Sequence, residues 1–138
     1  MVEWSDLITK YTDDLTLEEA FEIIRLYVAA VKEGDDLMEI RIASKIWAIF
    51  EKPEHSTPAH YDALLNPILH PEETDSDNVF VLNRMAVAYA LKKPACPAYL
   101  LSAACHQTAS PAYAVIAAAN PACPAEDAVY AVLTYTDY

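Results

Sequence analysis

The stretch Pro94 to Leu133 reads PACPAYLLSAACHQTASPAYAVIAAANPACPAEDAVYAVL, and its punctuation decides the fold. The pentapeptide Pro-Ala-Cys-Pro-Ala occurs at 94–98 and again at 121–125, with Ala109-Ser110-Pro111-Ala112 about halfway between. Pro97, Pro111 and Pro124 therefore follow one another at spacings of 14 and 13 residues. Each is followed by alanine and an apolar run: Tyr99 to Ala104, Tyr113 to Ala119, and Ala128 to Leu133. Proline suits the first turn of a helix, because its φ is already helical and its missing N–H would have no intrahelical partner there. Ser110 fits an N-cap before Pro111, and Cys96 and Cys123 hold the corresponding places with weaker capping chemistry. The pattern predicts three short helices of about two to three turns, each restarted by a proline. Helices apolar on most sides are buried on most sides, and alanine lets their axes approach closely.

Upstream, Thr57-Pro58-Ala59 followed by Tyr61, Ala63, Leu64 and Leu65 gives an earlier copy of the same start signal. Thr16-Leu17-Glu18-Glu19 is a capping box, in which hydroxyl and carboxylate each accept from an otherwise unpaired backbone N–H. The helix it opens carries Leu17, Ala20, Phe21, Ile24, Tyr27, Val28 and Val31 on one face, and Gly34 ends it. Asp35 and Asp36 suit the N-terminus of a second helix, with Ile40, Ala43, Trp47 and Phe50 as its apolar stripe and Ile42, Ile46 and Ile49 beside it. The short connection makes these two helices antiparallel neighbours. Pro53 stops the second, and Thr57-Pro58 starts a third that is expected to break near Asn66-Pro67. An acidic loop from His70 to Asn78 leads into a helix from Val79 to Leu91, whose end Lys92 and Lys93 complement. Trp4, Leu7, Ile8 and Tyr11 give a short N-terminal helix capped by Ser5, and Tyr135 to Tyr138 forms a fraying tail. The expectation is one all-α domain over 1–138, a compact bundle or short solenoid of about six or seven helices.

The repeated Pro-Ala starts, at a period of 27 residues, resemble in outline the short-helix solenoids of the HEAT type, whose own period is longer. That resemblance covers the second half of the chain and implies stacked helical hairpins there.

One glycine and nine prolines argue against a β-rich or loop-rich protein, whose turns would demand more glycine. A hydrophobic fraction of 54 % excludes disorder for most of the 138 residues, which are enough to bury a real core. No apolar run reaches the roughly 18 residues of a membrane span, and the first residues do not resemble a signal peptide. Three cysteines, an odd number without close spacing, fit a reducing compartment better than a disulfide framework, so a cytoplasmic location is expected.

The net charge of −12 is unevenly spread. Residues 1–78 hold 18 acidic and 6 basic side chains, whereas residues 79–138 hold 3 of each, so the acidic half carries the entire excess. Such a surface is repelled by phosphate backbones and anionic membranes, which argues against direct binding of nucleic acid or membrane. It favours a basic protein partner met by electrostatic complementarity. The candidate contact residues are Glu72, Glu73, Asp75 and Asp77 in the acidic loop, and Asp13, Asp14, Glu18 and Glu22 around the first capping box. A sharper form of this expectation is an inhibitor that imitates nucleic acid, as some small phage-encoded proteins do, which would fit a viral or mobile-element origin. The alternative is a structural or assembly protein that forms a homo-oligomer through its apolar C-terminal helices.

Motifs for chemistry are weak, and the expectation is a non-enzymatic protein with no cofactor and no metal. Asp75-Ser76-Asp77-Asn78 resembles the start of a calcium loop but lacks the glycine and the distant bidentate glutamate that such a loop needs. His55, His60, His70 and His106 show no ligand spacing, and no Cys-x-x-Cys is present. Cys105 and His106 are adjacent, so on a helix they point about 100° apart and do not face one another. Cys96 and Cys123, at helix N-termini, are the thiols whose pKa a helix dipole would lower.

Overall fold

The computed structural model describes residues 9–10, 14–52, 56–70, 85–106 and 111–135. Among the described residues the chain is all-α, with seven helices and no strand. They are α1 (Leu17–Glu33), α2 (Asp36–Glu51), α3 (Pro58–Leu69), α4 (Met85–Lys92), α5 (Ala98–Cys105), α6 (Pro111–Ala118) and α7 (Ala125–Tyr135). The N-terminal helix expected on Trp4, Leu7, Ile8 and Tyr11, the stop at Pro53, the acidic loop, the start of α4 at Val79, the Ser110 cap and the end of the tail lie outside the described residues. The chain divides into two compact units, Met1–Val79 and Phe80–Tyr138.

In the first unit, α1 packs against both α2 and α3. The capping box forms as the sequence dictates: the Glu19 N–H donates to Thr16 Oγ1 at 3.1 Å, and the Thr16 N–H donates to Glu19 Oε1 at 3.0 Å. Gly34 closes α1 at φ 76°, where a Cβ would collide with the backbone, and the Asp35 N–H reaches back to the Ala30 carbonyl at 2.9 Å. Asp35 then caps α2, its Oδ1 accepting from the Met38 N–H at 3.2 Å. Ala20, Ile23, Ile24, Tyr27, Val28, Ala30 and Val31 form the buried face of α1, whereas Leu17 is exposed and Phe21 is half-buried.

On α2 the buried stripe is Ile42, Ile46, Ile49 and Phe50, while Ile40 and Trp47 face solvent and Ala43 is half-buried. The stripe is thus one step round the helix from the expected one. Apolar side chains occupy two adjoining faces of α2, and α1 covers only one of them. α3 also departs from expectation, running unbroken through Pro67 to Leu69. Pro67 lies in the last turn, so it sacrifices one intrahelical bond where the helix is already ending, and the His70 N–H closes the turn on the Asn66 carbonyl at 3.0 Å. His60, fully buried on α3, stacks on Phe21 with ring centroids 3.9 Å apart. Its Nδ1 accepts from Thr57 Oγ1 at 2.6 Å, which leaves Nε2 to donate to the Leu17 carbonyl at 3.3 Å. This histidine is therefore a core strut between α3 and the start of α1.

In the second unit α6 is central, packing against α4, α5 and α7, and α5 also meets α7. Its core is made of small groups: Ala86, Ala90, Ala104, Ala114, Ala117 and Ala131 are buried, with Leu91, Leu100, Leu101 and Tyr113 as the large side chains among them. Both pentapeptides fold as the same tight turn. The Cys96 N–H donates to the Lys93 carbonyl at 3.0 Å and the Cys123 N–H to the Asn120 carbonyl at 2.9 Å, with proline at the second position of each turn. Pro111 is the first residue of α6 as expected, but Pro97 and Pro124 sit one place earlier, as caps. Pro97 has ψ 139° and its carbonyl accepts from the Leu101 N–H at 3.3 Å; the Pro124 carbonyl accepts from Ala128 at 3.0 Å. The turn before Pro97 delivers it in extended conformation, and in both copies the helix starts at the alanine and the cysteines do not cap.

Candidate functional site

The two turns are tied through Asn120, which is only 5 % exposed. Its Nδ2 donates to the Leu91 carbonyl at 2.7 Å and to the Lys93 carbonyl at 2.8 Å, and its Oδ1 accepts from the Ala122 N–H at 2.9 Å. One side chain at the head of the second pentapeptide thus satisfies the end of α4, where the first pentapeptide begins. At the corresponding place, Lys93 sends its ammonium over the Tyr89 ring, 4.4 Å from the centroid.

Next to the second turn, the end of α5 meets the start of α7 in a polar and sulfur-bearing cluster. Cys105 Sγ lies 3.5 Å from Cys123 Sγ, and both thiols are free. His106 Nε2 lies 2.8 Å from Asp127 Oδ1, and the His106 ring stacks on Tyr130 at 4.3 Å between centroids. Hydrogen bonds from Ser102 and then from His106 hold the Asp127 carboxyl below its ordinary value. Burial, and after it the neighbouring Cys123 thiol, push Cys105 up to about 12. Cys105 and His106 thus serve different partners, as their 100° separation requires: the thiol turns to Cys123 and the imidazole to Asp127.

The expectation of a lowered thiol at Cys96 is overturned. The residue is buried in the second unit, and desolvation pushes its pKa up to about 12, which outweighs any helix-end effect. Among the described residues no group of three histidine, cysteine or carboxylate side chains is placed to hold a metal ion. His60 is in the core, and exposed His70 donates from Nδ1 to the Asn66 carbonyl at 3.2 Å.

Of the acidic candidates, Asp14, Glu18 and Glu22 are exposed, with Glu18 and Glu22 one turn apart on α1. Glu22 pairs with Arg25, whose guanidinium lies over Phe21 at 5.6 Å. Asp13, Glu72, Glu73, Asp75 and Asp77 lie outside the described residues. Glu19 is held by its cap and by Lys10, whose Nζ lies 2.9 Å from Oε2; the Thr16 backbone N–H and then Lys10 lower its carboxyl.

Among the described residues, α7 and α2 each expose apolar side chains. On α7 only Ala131 is fully buried, while Val129, Val132 and Leu133 are exposed and, with Ala128, line a shallow hollow of about 230 Å³. On α2 the open face is Leu37, Ile40 and Trp47, the first two more than two-thirds exposed. No helix among the described residues is long and apolar enough to cross a membrane. Comparison of the chain with protein-family models, curated proteins and solved structures gave no match.

Proposed function

We propose that this chain is a non-enzymatic protein–protein interaction module that self-associates through the outer face of α7. The observation that carries the reading is the inversion of α7: Val129, Val132 and Leu133 point outward while a lone alanine is fully buried. A helix that turns its branched side chains to water is stabilised when a partner covers them, and contiguous exposed apolar patches mark such contacts. The charge distribution supports a second copy as the partner. The chain carries −12 overall with its whole excess in residues 1–78, so two copies repel through their acidic halves and meet most easily across the neutral half that bears α7. A twofold contact also places the same hydrophobic patch on both sides. The test is sedimentation of the full chain over a wide concentration range, beside the variant Val129→Glu/Leu133→Glu. The wild type gains mass with concentration and the variant stays monomeric; a wild type that is monomeric throughout rejects the reading.

A second reading is supported by the exposure of Asp14, Glu18 and Glu22 around the first cap. In it the acidic unit engages a basic protein, as an inhibitor imitating nucleic acid would, in a reducing cytoplasm that suits three free thiols. Salt-sensitive capture of a basic partner, lost when these three acids are neutralised to amides, supports it. Capture indifferent to salt or to the substitutions removes it.

A further inference from the structure

The motif that repeats in sequence does not repeat in chemistry. Cys96 and Cys123 hold the same place in the two pentapeptides and make the same backbone turn. Each Sγ contacts the carbonyl of the following proline, Cys96 at 3.9 Å and Cys123 at 3.6 Å, but Cys96 is buried. Cys123 is half-exposed, and its Sγ lies 3.5 Å from that of Cys105, a thiol with no accessible surface on the last residue of α5. Two free thiols so placed, one reachable from solvent and one held behind it, are the arrangement of an oxidisable cysteine and its resolving partner.

We propose that Cys105 and Cys123 form a reversible intramolecular disulfide on exposure to hydrogen peroxide, with Cys123 oxidised first and Cys105 resolving it. The Cys123 thiolate attacks one peroxide oxygen: an S–O bond forms, the O–O bond breaks, and the departing hydroxide takes up a proton as water. The Cys105 sulfur then attacks the Cys123 sulfenic acid. The S–S bond forms, the S–O bond breaks, and the hydroxyl leaves as a second water carrying the Cys105 proton. Two thiols are oxidised by two electrons in total, and one peroxide is reduced to two waters. A dithiol reductant returns both thiols. Closing the sulfurs to a bonded separation of about 2 Å requires an approach of about 1.5 Å, within reach of side-chain rotation and a small shift of the turn. Burial holds Cys105 protonated, so its proton leaves with the departing hydroxyl as the S–S bond forms. The bond joins residues 18 apart and fastens the end of α5 to the turn that starts α7.

The experiment treats the native full chain with a small excess of hydrogen peroxide. Remaining thiols are alkylated after denaturation, and the intact mass and a peptide map are read. The expected product has no intermolecular disulfide, has lost two hydrogens, carries a Cys105–Cys123 cross-link and is alkylated on Cys96 alone. Its melting temperature is raised by several degrees, and dithiothreitol reverses both changes. In Cys105→Ala the sulfenic acid persists on Cys123 and is trapped by dimedone, while Cys123→Ala gives no adduct. Further oxidation of Cys123 with Cys105 still open to alkylation overturns the proposal. So does a cross-link that involves Cys96 or a second molecule, or three unchanged thiols. The wild-type result decides the matter even where a variant folds poorly.

Discussion

The two units reach an all-α fold by opposite means. The first is built from large side chains and local helix signals: isoleucine, leucine and tyrosine fill the space between α1, α2 and α3, with Thr16, Gly34 and Asp35 marking the boundaries. The second is built from alanine, proline turns and one amide, so that α4, α5 and α7 gather around α6 and Asn120 binds the turns. Large side chains hold by the area they remove from water, whereas small ones hold by letting backbones approach and need polar groups to fix the register. The first unit is therefore sensitive to loss of volume, and the second to gain of volume and loss of a hydrogen bond.

Substitutions that exchange these sensitivities test the contrast most sharply. Leu64→Ala empties a fully buried site on α3 and is expected to destabilise the first unit by about 2–5 kcal/mol in urea unfolding. Asn120→Leu leaves the Leu91 and Lys93 carbonyls without their amide and is expected to destabilise the second unit by about 2–4 kcal/mol, with α4 and the turns losing amide protection first. Ala114→Leu overfills the centre of α6 for about 1–3 kcal/mol. Tolerance of Ala114→Leu, together with a small effect of Asn120→Leu, would show that the second unit is held by apolar area after all.

The smallest effect is a shared dependence on pH. Glu19 in the first unit and Asp127 in the second both have lowered carboxyl values, so the folded state binds these protons less readily than the unfolded chain. Their contribution is fully present above the ordinary carboxyl values of 4.5 and 3.8 and is lost as pH falls through the lower folded ones. Glu19→Gln is expected to flatten the acid side of the stability profile for α1, and Asp127→Asn for α7, when unfolding is followed by segment. Unchanged profiles would mean that both carboxylates are too well solvated to matter.

Local chemistry in the sequence translated directly into structure. The Thr16–Glu19 box, the Gly34 stop and the Asp35 cap involve residues within five positions of each other, and each forms as written. The core face of α2 was harder to read, because Ile40, Ile42, Ile46, Trp47 and Ile49 offer apolar groups on two faces, and packing against α1, with Phe50 on Tyr61 of α3, decides between them. Proline signalled that helices start but not on which residue, since the preceding turn sets the register. Asn120 and the Cys105–Cys123 pair were not legible at all, because they join groups 29, 27 and 18 residues apart. The asparagine before the second pentapeptide, where the first copy has lysine, was the only hint, and it is a difference between repeats rather than a motif.

Amide exchange of the full chain at low and high protein concentration tests assembly through α7 most directly. Self-association predicts that exchange slows with concentration in the α7 segment around Val129 to Leu133 and stays constant in α1 and α3, and that Val129→Glu/Leu133→Glu abolishes the slowing. Exchange in α7 that is independent of concentration, or slowing confined to the open face of α2, would contradict it.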